Sequence, residues 1–131
     1  MTNYVKTLGA EIIDGADRRA VRMPYGEHLL GRIGFLHGGA IACVMDDVLA
    51  VATGLILKWG EIAPTLEMKV SYLNQGGAGR HVAEARVLKR GRQVNFLEAT
   101  LARADGKVIA TSTATIMIAP MKTPSPSQKP A

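Results

Sequence analysis

The chain has 131 residues, enough for one domain with a real core and small enough for a partner subunit to help complete it. Its apolar share of 47% and charged share of 21% are ordinary for a globular protein, and no apolar run reaches the roughly 20 residues that would span a membrane. Sixteen basic against eleven acidic residues give a net charge of +5; three Tyr, two Phe and one Trp, not interleaved with the basic runs, argue against a base-stacking nucleic-acid binder and for a small phosphate-bearing partner.

Residues 1–8 read as a short lead-in without the basic stretch and apolar core of a signal peptide. Cys43 is the only cysteine, so no disulfide forms within the chain, which fits a reducing compartment; a cytoplasmic protein is expected. Residues 10–22, AEIIDGADRRAVR, read as two short strands turned at Asp14-Gly15, and MPYGEHLLGRIG as a loop.

From Ala40 to Lys58 there is no Pro and one Gly, and Ile41, Val44, Met45, Val48, Ala52, Leu55 and Ile56 recur at helical steps. The opposite side carries Ala42, Cys43, Leu49, Ala50 and Val51, so the helix is expected to be buried nearly all round. PTLEMKVSYL then alternates with period two. RHVAEARVLK, QVNFLEATLAR and VIATSTATIMIA follow as three more strands, divided by turns at RGR and ADGK. The fold class is α+β: one long helix wrapped by a curved antiparallel sheet whose last four strands run as a meander. A single domain over 1–119 and a flexible Pro/Ser/Lys-rich tail over 120–131 are expected.

FLHGGAIACVMDD, then TLEMKVSYL and VLKRGRQVNFLEATLARADGKVIATSTATIMI, resembles the hotdog-fold thioesterases of the phenylacetic-acid-pathway (PaaI-like) subgroup over roughly residues 10–119. The resemblance implies a hotdog fold, edge-to-edge homodimers or dimers of dimers, a homotetramer in the second case, and active sites at the dimer interface. It implies acyl-CoA thioester hydrolysis with no metal and no cofactor, and neither nucleic acid nor membrane as partner. Three dispersed histidines likewise give no metal-ligand spacing.

A glycine at a helix N-terminus lets a carbonyl approach free N–H groups and the positive end of the helix dipole. The resemblance gives Gly38 this oxyanion role, with Gly39 beside it in the substrate site. It makes Asp46, nine residues after His37, the catalytic carboxylate, acting as general base or as nucleophile. Asp47 lies about 100° further round the helix and reads as structural, paired with a basic group or with polar atoms across the dimer. His37 either orients the loop or bonds near the thioester. Thr65 stands where relatives carry a hydroxyl that places water or the carboxylate, expected to come from the neighbouring subunit. One position departs: relatives have an Asn six residues before the motif histidine, and here Gly31 stands there, leaving His28 or Arg32 as substitutes.

Arg86, Lys89, Arg90 and Arg92 cluster in seven residues without an acid. Lys89, Arg90 and Arg92 are candidates for the phosphates of CoA, against the commoner meaning of a solvated turn. Cys43 reads as a small buried hydrophobe. No G-x-S-x-G elbow, G-x-G-x-x-G or Walker pattern is present. The alternatives to an acyl-CoA thioesterase are a non-catalytic hotdog protein that binds acyl-CoA or a related ligand, a hotdog dehydratase and, remotely, a nucleic-acid binder.

Overall fold

The computed structural model describes Gly9 and residues 11–14, 19–23, 27–77 and 79–122. The expected lead-in over 1–8 and the tail from 123 lie outside the described residues. Strands β1 (Glu11–Asp14) and β2 (Arg19–Met23) precede a single 3-10 turn, Glu27–Leu29. Helix α1 (Gly38–Thr53) follows, then β3 (Glu61–Ile62), β4 (Thr65–Tyr72), β5 (His81–Arg90), β6 (Val94–Arg103), β7 (Val108–Met117) and β8 (Ala119–Pro120). Six strands form one antiparallel sheet in the order β1-β2-β5-β6-β7-β4, and β3 pairs with β8. The result is the hotdog arrangement, one helix lying on one face of a sheet. Among the described residues no helix is long and apolar enough to cross a membrane.

Two expectations about topology are corrected. The last four strands are not a simple meander: β4 pairs with β7, not β5, and forms an edge of the sheet. The connection from β4 to β5 crosses the end of β7, where the N–H groups of Leu73 and Asn74 both donate to the Ile109 carbonyl. Gly76 lets this connection pass against Leu36; a Cβ there would stand 2.6 Å from the Leu36 Cδ1. The helix ends at Thr53 rather than Lys58, with Gly54 as its C-cap. Leu55 is exposed beyond that end, so the helical spacing of Leu55 and Ile56 was coincidental.

The helix fits the sheet because alanines line the face beneath it. The strand register aligns Ala83 with Leu101 and Ala110, Ala85 with Ala99 and Ser112, and Val87 with Leu97 and Ala114. The alanines and Ser112 among them leave room between the larger Val87, Leu97 and Leu101, and Ile41, Val44, Met45, Val48 and Leu49 pack there, each at most 3% exposed. Only that side is covered. Ala42, Cys43 and Val51 are half-buried and Ala50 is exposed, so the helix is not buried all round within one chain. A sheet covers one face of a helix, and the flanking positions Cys43 and Val51 pack against the core only in part.

At the start of β5, His81 is buried in register with Met23 and Arg103. Its Nδ1 lies 3.1 Å from the Gly79 carbonyl oxygen, and its Nε2 has no hydrogen-bond partner among the described residues. Burial holds its pKa below the ordinary value of 6.5. The unfolded chain therefore takes up a proton here more readily than the folded one. The stability owed to neutral His81 is complete above 6.5 and is lost as pH falls through that value towards the lower folded pKa. Denaturation midpoints measured at pH 7.5 and 5.5 should drop more for the wild type than for His81→Phe.

Candidate active site

The two ends of the site are built on α1. At its N-terminus His37 is the N-cap, with φ −65° and ψ 135°. Its Nδ1 accepts from the Gly39 N–H at 2.9 Å, and the Ile41 N–H donates to the His37 carbonyl. The Gly38 N–H has no hydrogen-bond partner among the described residues. No acidic residue of the helix lies in its first turn to offset the positive end of its dipole. The turn is held from both sides: the His37 N–H donates to the Leu29 carbonyl, the Leu36 N–H to the Gly76 carbonyl, and Leu30 bridges to Leu36. Tyr72 at the end of β4 donates its hydroxyl to the Gly38 carbonyl at 2.9 Å.

Two turns further along α1, Asp46 is exposed and its Oδ1 accepts from the Thr65 hydroxyl at 3.0 Å. Thr65 opens β4, just before a register shift between Thr65 and Glu67. Such a bulge re-aims a side chain. The structure thus brings Asp46 and Thr65 together within one chain, where a neighbouring subunit had been expected to supply the hydroxyl. It does not bring Gly38 to Asp46: at 1.5 Å per residue, eight residues of helix put them about 12 Å apart.

Asp47 is half-buried, with Oδ2 shielded from solvent and no hydrogen-bond partner among the described residues. Burial, and then the neighbouring Asp46 charge, push its pKa above the ordinary carboxylate value. Among the described residues no basic group pairs with Oδ2, the first of the two partners expected for Asp47. Cys43 is half-buried rather than core. His28 and Arg32 are exposed.

Lys89, Arg90 and Arg92 are exposed at the β5–β6 hairpin. Gly91 closes it: its N–H donates to the Val94 carbonyl, and a Cβ would stand 2.2 Å from that oxygen. The register runs Arg90 to Asn95 to Ile116 to Thr65, so the hairpin lies at the same end of the sheet as the Asp46–Thr65 pair. Three strand spacings make this about 14 Å. Arg86 leaves the cluster, its guanidinium paired with Glu98 across the ladder. Tyr72 escaped sequence reasoning altogether; its bond to a carbonyl 34 residues away has no local signature. Among the described residues no three His, Cys, Asp or Glu side chains gather as a metal site.

A helix seated on an antiparallel sheet, carrying a glycine turn at its N-terminus and a carboxylate bonded to a hydroxyl two turns on, places the chain in the hotdog class. The profile of the Thioesterase superfamily matches residues 33–110, and the chain belongs to that family, as a PaaI-like thioester hydrolase. It is 29% identical to human acyl-coenzyme A thioesterase 13 over 112 residues, covering 82% of this chain and 79% of that protein. A crystal structure of a thioesterase family protein from Silicibacter pomeroyi superposes with a TM-score of 0.84 at 34% identity, covering 91% of this chain and 90% of that one. A thioesterase from Haemophilus influenzae shares the fold, with a TM-score of 0.86 at 23% identity over 92% of this chain and 85% of that one.

Proposed function

We propose that the protein hydrolyses an acyl-CoA thioester to the free acid and CoA, at sites assembled between two copies of the chain. The observation that carries this reading is the Asp46–Thr65 pair on the helix whose N-terminus keeps the Gly38 N–H free. The helix rise separates these two parts by about 12 Å, too far to address one carbonyl, so a second chain supplies one of them. The edge strand β4 offers the means. It is eight residues long, has no paired strand on one side among the described residues, and exposes Leu66 towards one end and Tyr72 at the other. Antiparallel pairing of β4 with a second β4 about a two-fold axis sets the Thr65 end of one chain beside the Tyr72 end of the other. The Gly38 turn bonded to Tyr72 then comes to the carboxylate bonded to Thr65, and two sites form per dimer. The same pairing brings a partner towards the half-covered stripe of α1 and the unpaired Asp47 oxygen.

In the mechanism, Thr65 occupies Asp46 Oδ1 and leaves Oδ2 for a water molecule. Asp46 takes the water proton as general base, and the water oxygen attacks the thioester carbon. The oxyanion that forms is held by the Gly38 N–H and the helix dipole. As it collapses the C–S bond breaks, and the proton passes from Asp46 to the departing CoA sulfur. His37 caps the helix and fixes the turn that presents Gly38. Arg90, Arg92 and Lys89 meet the phosphates of CoA at the sheet end that carries Thr65.

The test is release of free thiol from a panel of aromatic, short-chain and medium-chain acyl-CoAs. Turnover of any of them supports the reading. Binding of the panel without turnover favours a ligand-binding protein instead. Reversing two charges, Arg90→Glu with Arg92→Glu, should raise KM about tenfold or more at low salt and leave kcat near the wild-type value. Arg86→Gln, on the opposite sheet face, should leave KM unchanged.

A further inference from the structure

Trp59 is the only tryptophan in the chain, and it is fully exposed. An indole standing wholly in water contributes no burial to the fold, although few side chains have more apolar surface to bury. The backbone around it is nevertheless braced. The Glu61 N–H donates to the Lys58 carbonyl at 3.1 Å, and Gly60 has φ +85° while Trp59 does not have a positive φ. This is a type II turn with Trp59 at its second position. The Glu61 carboxylate closes it again by accepting from the Lys58 N–H at 2.7 Å, and the Gly60 carbonyl accepts from the Met121 N–H. A turn held still in this way leaves a ligand less ordering to do when it uses the ring.

The turn stands at the end of the sheet that carries the basic hairpin. Gly60 is bonded to Met121, and three residues back along that segment the Ile118 N–H donates to the Gln93 carbonyl, next to Arg92. Two strand spacings across and three residues along set the turn and the hairpin about 14 Å apart. Lys58, Lys89, Arg90, Arg92 and Lys122 are exposed on these segments, and Glu61, the one acid among residues 58–61, 89–93 and 118–122, already closes the turn. A basic hairpin alone attracts any phosphate; a flat aromatic face at the same edge selects a base attached to that phosphate. We infer that Trp59 is the adenine platform of the coenzyme A site: the base stacks on the indole while Arg90 and Arg92 hold the phosphates on the other side of the ribose. The inference takes its ligand from the thioesterase reading and adds recognition of the base to it.

Because Trp59 is the only tryptophan, fluorescence excited at the red edge of indole absorption reports on it alone. The wild-type protein is titrated with CoA, with adenosine 3′,5′-bisphosphate and with pantetheine, which lacks both base and phosphates. The expected result is a solvated indole in the free protein, and a saturable quench by CoA and by the bisphosphate but not by pantetheine. Half-saturation should move upward about tenfold or more in the Arg90→Glu, Arg92→Glu double variant. Trp59→Leu, at an exposed position where folding is not at stake, should raise KM for the acyl-CoA about tenfold with kcat near the wild-type value, and Trp59→Phe should recover most of that loss. A shielded indole in the free protein, no quench by CoA, or an unchanged KM in Trp59→Leu would each overturn the inference, and thiol release by the wild type would leave the thioesterase reading standing. A quench by CoA without turnover supports the platform and overturns hydrolysis instead. Leu55, Ile62 and Met121 are exposed as well, so vesicles of phosphatidylcholine and phosphatidylserine are tested alongside. A blue shift on these vesicles with no response to CoA would overturn the inference in favour of a lipid surface.

Discussion

Asp46→Asn should lower kcat for thioester hydrolysis by about 10²–10⁴-fold while leaving acyl-CoA affinity close to that of the wild type. Asn keeps the shape of Asp and can still accept from the Thr65 hydroxyl, so the local geometry that the Asp46–Thr65 bond fixes is retained. What it loses is the basic oxygen that removes a proton from water. Asp46 is exposed, and substitutions at such positions change stability by about 0.5 kcal/mol or less. A fall in turnover would therefore report on chemistry and not on folding. The measurement is thiol release in parallel with calorimetric titration of a hydrolysis-resistant acyl-CoA analogue. A collapse of kcat with unchanged affinity would assign Asp46 as the base. Equal turnover of variant and wild type would remove Asp46 from the mechanism. Negligible release from both, with binding intact, would identify a ligand-binding protein and give the departure at Gly31 its simplest meaning.

Periodicity carries the parts of this fold that obey a local rule. The 3.6-residue recurrence of Ile41, Val44, Met45, Val48 and Ala52 marks the buried face of α1, and the alternation in residues 65–72 marks β4. The order of strands obeys no local rule. The side chains of β4 alternate equally well whether it pairs with β5 or with β7, and nothing in them announces an edge. That choice rests on the crossing at Leu73 and Asn74 and on the space that Gly76 leaves for Leu36. The end of the helix was missed for a different reason: the apolar spacing continues to Leu55 and Ile56, but Gly54 stops the helix first.

The candidate site divides along similar lines. The glycines and the acid are written within one segment, and so the resemblance could point to them together; that His37 is the helix cap came only from the structure. The pairing of Thr65 with Asp46 joins residues 19 apart, and the resemblance alone pointed to the position; the geometry then placed both in one chain. Tyr72 on Gly38 and Glu98 on Arg86 are contacts made by register, invisible until the strands are in place. The apolar character of α1 on its outer side was correctly read from the sequence, but one chain covers only half of it. That shortfall and the roughly 12 Å between Gly38 and Asp46 are the two observations that the proposed second copy of the chain would account for together.

A mixture of two inactive variants should therefore regain activity. One is Asp46→Asn. The other is Gly38→Pro, which deletes the donor and little else. Gly38 is the first residue of the helix, a position where proline is well tolerated. The His37 backbone, at φ −65° and ψ 135°, is already in the region that a following proline demands. A Cβ at position 38 meets the Tyr72 ring at 3.5 Å, an ordinary contact. Gly38→Pro alone is expected to lose about 10²–10³-fold in kcat. In a dimer of one Asp46→Asn chain and one Gly38→Pro chain, a site shared between chains takes Gly38 from the first and Asp46 from the second, and is intact. The other site carries both substitutions and is inactive. Random exchange makes half the dimers mixed, each with one working site of two, so the mixture should reach about one quarter of wild-type turnover. If each site lay within a single chain, every site in the mixture would carry one substitution and no activity would return. Recovery after co-refolding or co-expression, against two inactive parents, distinguishes these outcomes by a signal far above background. It does so whichever acyl group the protein prefers, because the comparison needs only one substrate that the wild type turns over.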